Sequence, residues 1–87
     1  MSHNLTFHAR TRMRQRSIPT LIVDWLMDYG KREFDKNGAQ VLFFSKDSIR
    51  KLEREMGYPV VRRLSEFFNA YLVMTPDGAV ITVGYRP

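Results

Sequence analysis

An 87-residue chain that is 44% hydrophobic and 13% aromatic has material for one domain, residues 1–87, around a single small core, and is too apolar for a disordered segment. Fourteen Lys and Arg against nine Asp and Glu leave a formal charge of +5 and a pI near 10, which points to an acidic partner: nucleic acid, an acidic protein or an anionic membrane surface. The absence of cysteine excludes disulfides and thiolate metal sites.

Leu5 to Gln15 reads as a short helix whose apolar stripe is Leu5, Ala9 and Met13, ended by Ser17-Ile18-Pro19. Pro19 suits the first turn of a second helix, Pro19 to Tyr29, in which Leu21, Ile22, Trp25, Leu26 and Tyr29 make a strong amphipathic pattern closed by Gly30. Asn37-Gly38 then predicts a two-residue type I′ hairpin joining Lys31–Lys36 to Ala39–Phe44, with Phe34 opposite Val41 and the charged first strand at a sheet edge. Ser45 is placed to cap a third helix that carries Ile49, Leu52 and Met56 inward and stops near Gly57. Residues 58–66 fit either a further helical turn or an irregular connection, with Arg62 and Arg63 exposed. A second hairpin turns at Pro76-Asp77-Gly78. Pairing Thr75 with Ala79 sets Val73 opposite Ile81, Tyr71 opposite Val83 and Asn69 opposite Tyr85 on the packed face, leaving Leu72, Met74, Thr82 and Arg86 on the other. The order ααββαββ implies an α+β fold, a mainly antiparallel four-stranded sheet packed on helices.

The densest chemistry is at the start. His8 to Arg16 holds four arginines and a histidine in nine residues, and no acidic residue precedes Asp24. On a helix, His8, Arg12 and Gln15 share one face and Arg16 lies beside Arg12, the arrangement of a phosphate site along the edge of a buried stripe. With carboxylates absent from this region, His3 and His8 cannot close a zinc site, so no metal and no cofactor are expected. No apolar run is long enough to span a bilayer and none reads as a signal peptide; the expected setting is cytoplasmic, with no membrane partner.

The His-Ala-x-x-Arg-Met-x-x-Arg segment at 8–16, the Ile18-Pro19 pair and the closing Asn69 to Arg86 resemble a family of small bacterial proteins of unknown function, over nearly the whole chain. That family is similar in layout to the RelE superfamily of toxin ribonucleases and to the BrnT toxins. The resemblance implies a RelE-like fold and metal-independent RNA cleavage by an endoribonuclease of a toxin–antitoxin pair, neutralised by an acidic antitoxin. In such an enzyme His8 serves as base or acid, Arg12 and Arg16 clamp the phosphate and Tyr85 supports proton transfer or stacks on a base, while Arg10, Arg14, Lys31, Arg32 and Arg86 hold RNA. Two departures stand out: RelE proteins carry their basic residues on the sheet rather than on the first helix, and their helices are arranged differently. The same residues also fit a non-catalytic nucleic-acid-binding domain or a protein-interaction module with an acidic partner. Arg12 and Arg16 have a plainer use as cover for the core, and Tyr85 as a core aromatic.

Overall fold

Four helices and a four-stranded antiparallel sheet, an α+β fold, account for the described residues 4–87 of the computed structural model; His3 lies outside them. Helix α1, Phe7–Gln15, starts where the Thr6 hydroxyl accepts a hydrogen bond from Ala9 N at 3.2 Å, and it buries only Ala9 and Met13. It ends in a Schellman turn. Ile18 N reaches back to Met13 O and Ser17 N to Arg14 O, with Ser17 in the left-handed region at φ 52°. The turn delivers Ile18 into the core beside Met13. Helix α2, Thr20–Tyr29, follows with Pro19 as its N-cap and buries Ile22, Val23, Trp25 and Leu26; Leu21, expected on the stripe, stays exposed.

Helix α3, Lys46–Met56, opens with a capping box in which the Ser45 and Ser48 side chains each accept from the other's backbone N–H. It buries Leu52 and rests Ile49 on the core, while Met56 is exposed rather than inward. The undecided segment after Gly57 is a short helix, α4, Tyr58–Arg63, which buries Val61 and exposes Arg62 and Arg63 before a 3-10 turn at Ser65–Phe67. The element order is therefore ααββααββ.

Strands β1 (Lys31–Phe34), β2 (Gln40–Phe43), β3 (Ala70–Met74) and β4 (Val80–Tyr85) form a meander in sequence order. Both hairpins differ from expectation by one residue. At the first, Asn37 does not adopt positive φ; the loop is Lys36-Asn37-Gly38, closed by Asp35 N to Ala39 O, with only Gly38 left-handed at φ 82°. The Asp35 carboxylate accepts from Asn37 N and Ala39 N, which favours this longer turn over type I′ and sets Phe34 opposite Gln40 instead of Val41. At the second, a bulge at Ile81 breaks the register, so Met74 faces Val80 while Val73 faces Thr82. The extra residue brings Val80 and Val83 onto one face and transfers Ala70, Leu72 and Met74 to the core, the reverse of the expected assignment for β3.

The core lies between the sheet and the helices: Trp25, Leu26, Leu42, Phe44, Leu52, Leu72, Val80 and Val83 are all buried. The opposite face carries Val41, Phe43, Tyr71 and Val73, half-buried and outside that core. One sheet edge is closed near its start, where Val80 N donates to Asn4 O and Thr6 N to Val80 O beside α1. The other edge, β1, is charged and exposed, as expected.

Two stability outcomes follow. Trp25 is 3% exposed, so Trp25→Ala should cost about 3–5 kcal/mol in equilibrium urea unfolding. Ser17→Gly should instead stabilise by about 0.5–1 kcal/mol, because glycine relieves the left-handed backbone that serine holds at φ 52°; a destabilised variant would refute the Schellman assignment.

Candidate nucleic-acid interface

The burial of Ala9 and Met13 fixes the orientation of α1, and the 3.6-residue repeat then distributes its cations. His8, Arg12 and Gln15 fall along one flank of the buried stripe, and Arg10 and Arg14 along the other. On the first flank, Arg12 Nε donates to His8 Nε2 at 3.4 Å and Arg12 Nη1 to Gln15 Oε1 at 3.5 Å, so the row foreseen from spacing is physically joined. In this bond His8 Nε2 is the acceptor. Arg16 is the C-cap residue, exposed and just beyond Arg12.

Asp47 and Arg50 form an ion pair at 3.4 Å on the surface of α3. None of Arg10, Arg12, Arg14 and Arg16 has a carboxylate partner among the described residues. A solvated helix face stabilised by charge would intersperse acidic residues at i±4; α1 has none.

The second flank borders an open groove of about 700 Å³ between α1 and the start of α2, lined by Arg10, Arg14, Ser17 and Thr20 together with the apolar Leu5, Met13 and Ile18. Sequence reasoning missed this groove. It forms because the Schellman turn folds Ile18 under α1, a consequence of Ser17 adopting positive φ, which no residue type other than glycine or asparagine advertises. Also missed is Phe7, at the first position of α1 and 81% exposed.

The remaining candidates are scattered over other surfaces. Arg32 is tied down: Nη2 donates to Met27 O at 3.2 Å near the end of α2 and Nη1 to Gln40 Oε1 at 3.0 Å. Lys31 pairs across from Phe43, and the Arg86 guanidinium stacks 4.4 Å from the centroid of that same ring, so both belong to the open sheet face. Tyr71 follows in the same row, its ring lying across Gly84. Tyr85 points the other way, to the helix side, half-buried against the core. Burial, and secondarily the negative charge of Glu66, push its phenol above the ordinary tyrosine range. Tyr85 and Arg86 thus occupy opposite faces of the sheet, and no hydrogen bond joins either side chain to His8 or Arg12 among the described residues. Nor do the described residues contain a cluster of His, Asp or Glu arranged to hold a metal ion, or a helix long and apolar enough to cross a membrane.

Comparison with protein families, with characterised proteins and with solved structures finds no match for this chain.

The raised Tyr85 pKa carries a sign. A phenol that holds its proton longer in the folded state contributes stability below the unfolded value of about 10 and loses it as pH rises through the folded value. Tyr85→Phe should therefore flatten the decline of stability above about pH 10, measured by urea unfolding in alkaline buffers.

Proposed function

We propose that this protein binds RNA through the arginines of α1, with phosphate contacts supplying most of the affinity. The observation that carries the reading is the set of four arginines on one short helix with no carboxylate partner among the described residues. Guanidinium groups without a carboxylate partner are matched by an extended polyanion, whose binding releases condensed counterions. An RNA-binding role is in keeping with a cytoplasmic setting. Affinity for an RNA oligonucleotide should fall steeply with salt, and Arg12→Gln with Arg16→Gln should each reduce the log–log slope by about 0.7, as expected for one lost phosphate contact on a single strand. An unchanged slope in both variants removes the Arg12 flank of α1 from the interface; no binding at low salt removes RNA altogether.

A second reading, metal-independent RNA cleavage in the manner of a RelE-like toxin with an acidic antitoxin, is favoured by the His8–Arg12 hydrogen bond. A neutral imidazole beside a guanidinium combines a base for the ribose 2′-hydroxyl with a cation for the charge that develops on phosphorus. An acidic antitoxin would neutralise the protein by covering the same arginines. In this reading His8→Ala abolishes cleavage of a labelled RNA while the protein still folds and retains most of its RNA affinity. Cleavage at the parental rate by His8→Ala excludes histidine catalysis and leaves the binding function alone.

A further inference from the structure

We infer that the groove between α1 and α2 is a nucleotide-binding site, one that takes an unpaired nucleotide of single-stranded RNA. The inference rests on the RNA-binding reading and assigns it a substrate class. Three observations converge on it. The groove's volume, about 700 Å³, falls within the range of small-molecule sites, roughly 300–1,000 Å³. Its lining pairs the two chemistries a nucleotide pairs: Arg10 and Arg14, one helical turn apart and without carboxylate partners among the described residues, are cationic, while Leu5, Met13 and Ile18 are apolar and Thr20 adds a hydroxyl. Independently of the groove, Phe7 stands 81% exposed one turn before Arg10 on the outward side of the same helix. A phenylalanine so exposed is a stacking surface for a base next to the one that enters the groove.

The geometry excludes a base-paired occupant. A base within a duplex is covered by its neighbours above and below and by its partner at the side, so only its phosphates could reach Arg10 and Arg14. An unpaired base can turn in over Met13 and Ile18 while its phosphate stays on the arginines. Discrimination between single and double strands therefore comes from the apolar lining and Phe7, whereas the arginines serve both.

The test compares a fluorescently labelled oligoribonucleotide with the duplex of the same length, at one salt concentration, on the full chain. The single strand should bind about tenfold or more tightly than the duplex. Phe7→Ala, at an exposed position, should weaken single-strand binding about tenfold. Thr20→Tyr, which fills the groove without changing its charge, should bring the ratio of the two affinities close to one. As a check that needs no variant, titration of the parent protein with a nucleoside monophosphate should shift the amide resonances of Met13, Ser17 and Thr20 in nuclear magnetic resonance spectra. Equal affinity of the parent for single strand and duplex overturns the groove assignment and leaves phosphate binding standing. Monophosphate titration that leaves those three amides unmoved overturns it too. Failure of both RNAs to bind at low salt overturns the RNA reading itself, and the groove assignment with it.

Discussion

The attachment of α1 to the edge of the sheet is the constraint on which the rest of the molecule depends. Nine residues with only Ala9 and Met13 buried are too short and too polar to hold a helix in water unaided. The helix is fixed at both ends by groups outside it. Upstream, Asn4 and Thr6 exchange backbone hydrogen bonds with Val80, and the Thr6 side chain caps the first turn. Downstream, the Schellman turn drives Ile18 into the core. Between these anchors the helix exposes nearly everything else it carries, and nearly everything else is arginine, histidine or glutamine. The fold thus presents a cationic ridge at a defined place beside β4 and, through the same turn, creates the groove that runs along one side of it.

The spacing of the arginines governs how this ridge behaves. At positions 10, 12, 14 and 16 they alternate, and in a helix residues two apart point to different sides. The four charges therefore separate into two i, i+4 pairs, Arg10 with Arg14 and Arg12 with Arg16, one on each flank of the buried stripe. Each pair is mutually repulsive by a few tenths of a kcal/mol, a cost that a neighbouring acidic residue would ordinarily remove. A bound anion would remove it here, and without one the helix is electrostatically the less comfortable state. The same four charges in a row along one side would have repelled more strongly and offered a single line of contact instead of two.

What the sequence disclosed follows from how local each signal is. The helices were legible because burial of Ala9 with Met13, and of Ile22, Trp25 and Leu26, repeats at helical spacing within a few residues. The joined row of His8, Arg12 and Gln15 was legible for the same reason. Strand faces were less so, because they hinge on single-residue events. Asp35 folding its carboxylate over the turn lengthens the first loop by one, and the Ile81 bulge inserts one residue into β4. Either slip exchanges the two faces of a strand, so alternation alone puts Leu72 and Met74 on the surface although both are core. The placement of Tyr85 on the helix side survived only because the bulge precedes it. The groove was invisible for a different reason: it depends on the path of the chain through Ser17, and serine at positive φ leaves no mark in composition or periodicity.

Binding and cleavage make different demands on the same helix, and the contact between His8 and Arg12 is where they meet. Phosphate binding needs only accessible cations: Arg10, Arg14 and Arg16 are exposed and Arg12 half-buried. A base must have its lone pair free at the moment of proton transfer, yet in the unliganded protein the Nε2 lone pair accepts from Arg12 at 3.4 Å. A bond of that length from a guanidinium is weak, and an anionic phosphate oxygen is a stronger acceptor for the same donor than a neutral imidazole. In the cleavage reading, arrival of the phosphate would draw Arg12 away from His8 and thereby release the lone pair next to the group it must deprotonate. The substrate would complete the base by occupying the cation that masks it. The purely binding reading has no use for this exchange: Arg12 could move to phosphate with His8 a bystander. The two readings therefore separate at His8 and not at the arginines, since removal of any arginine weakens both, whereas removal of the imidazole touches chemistry alone.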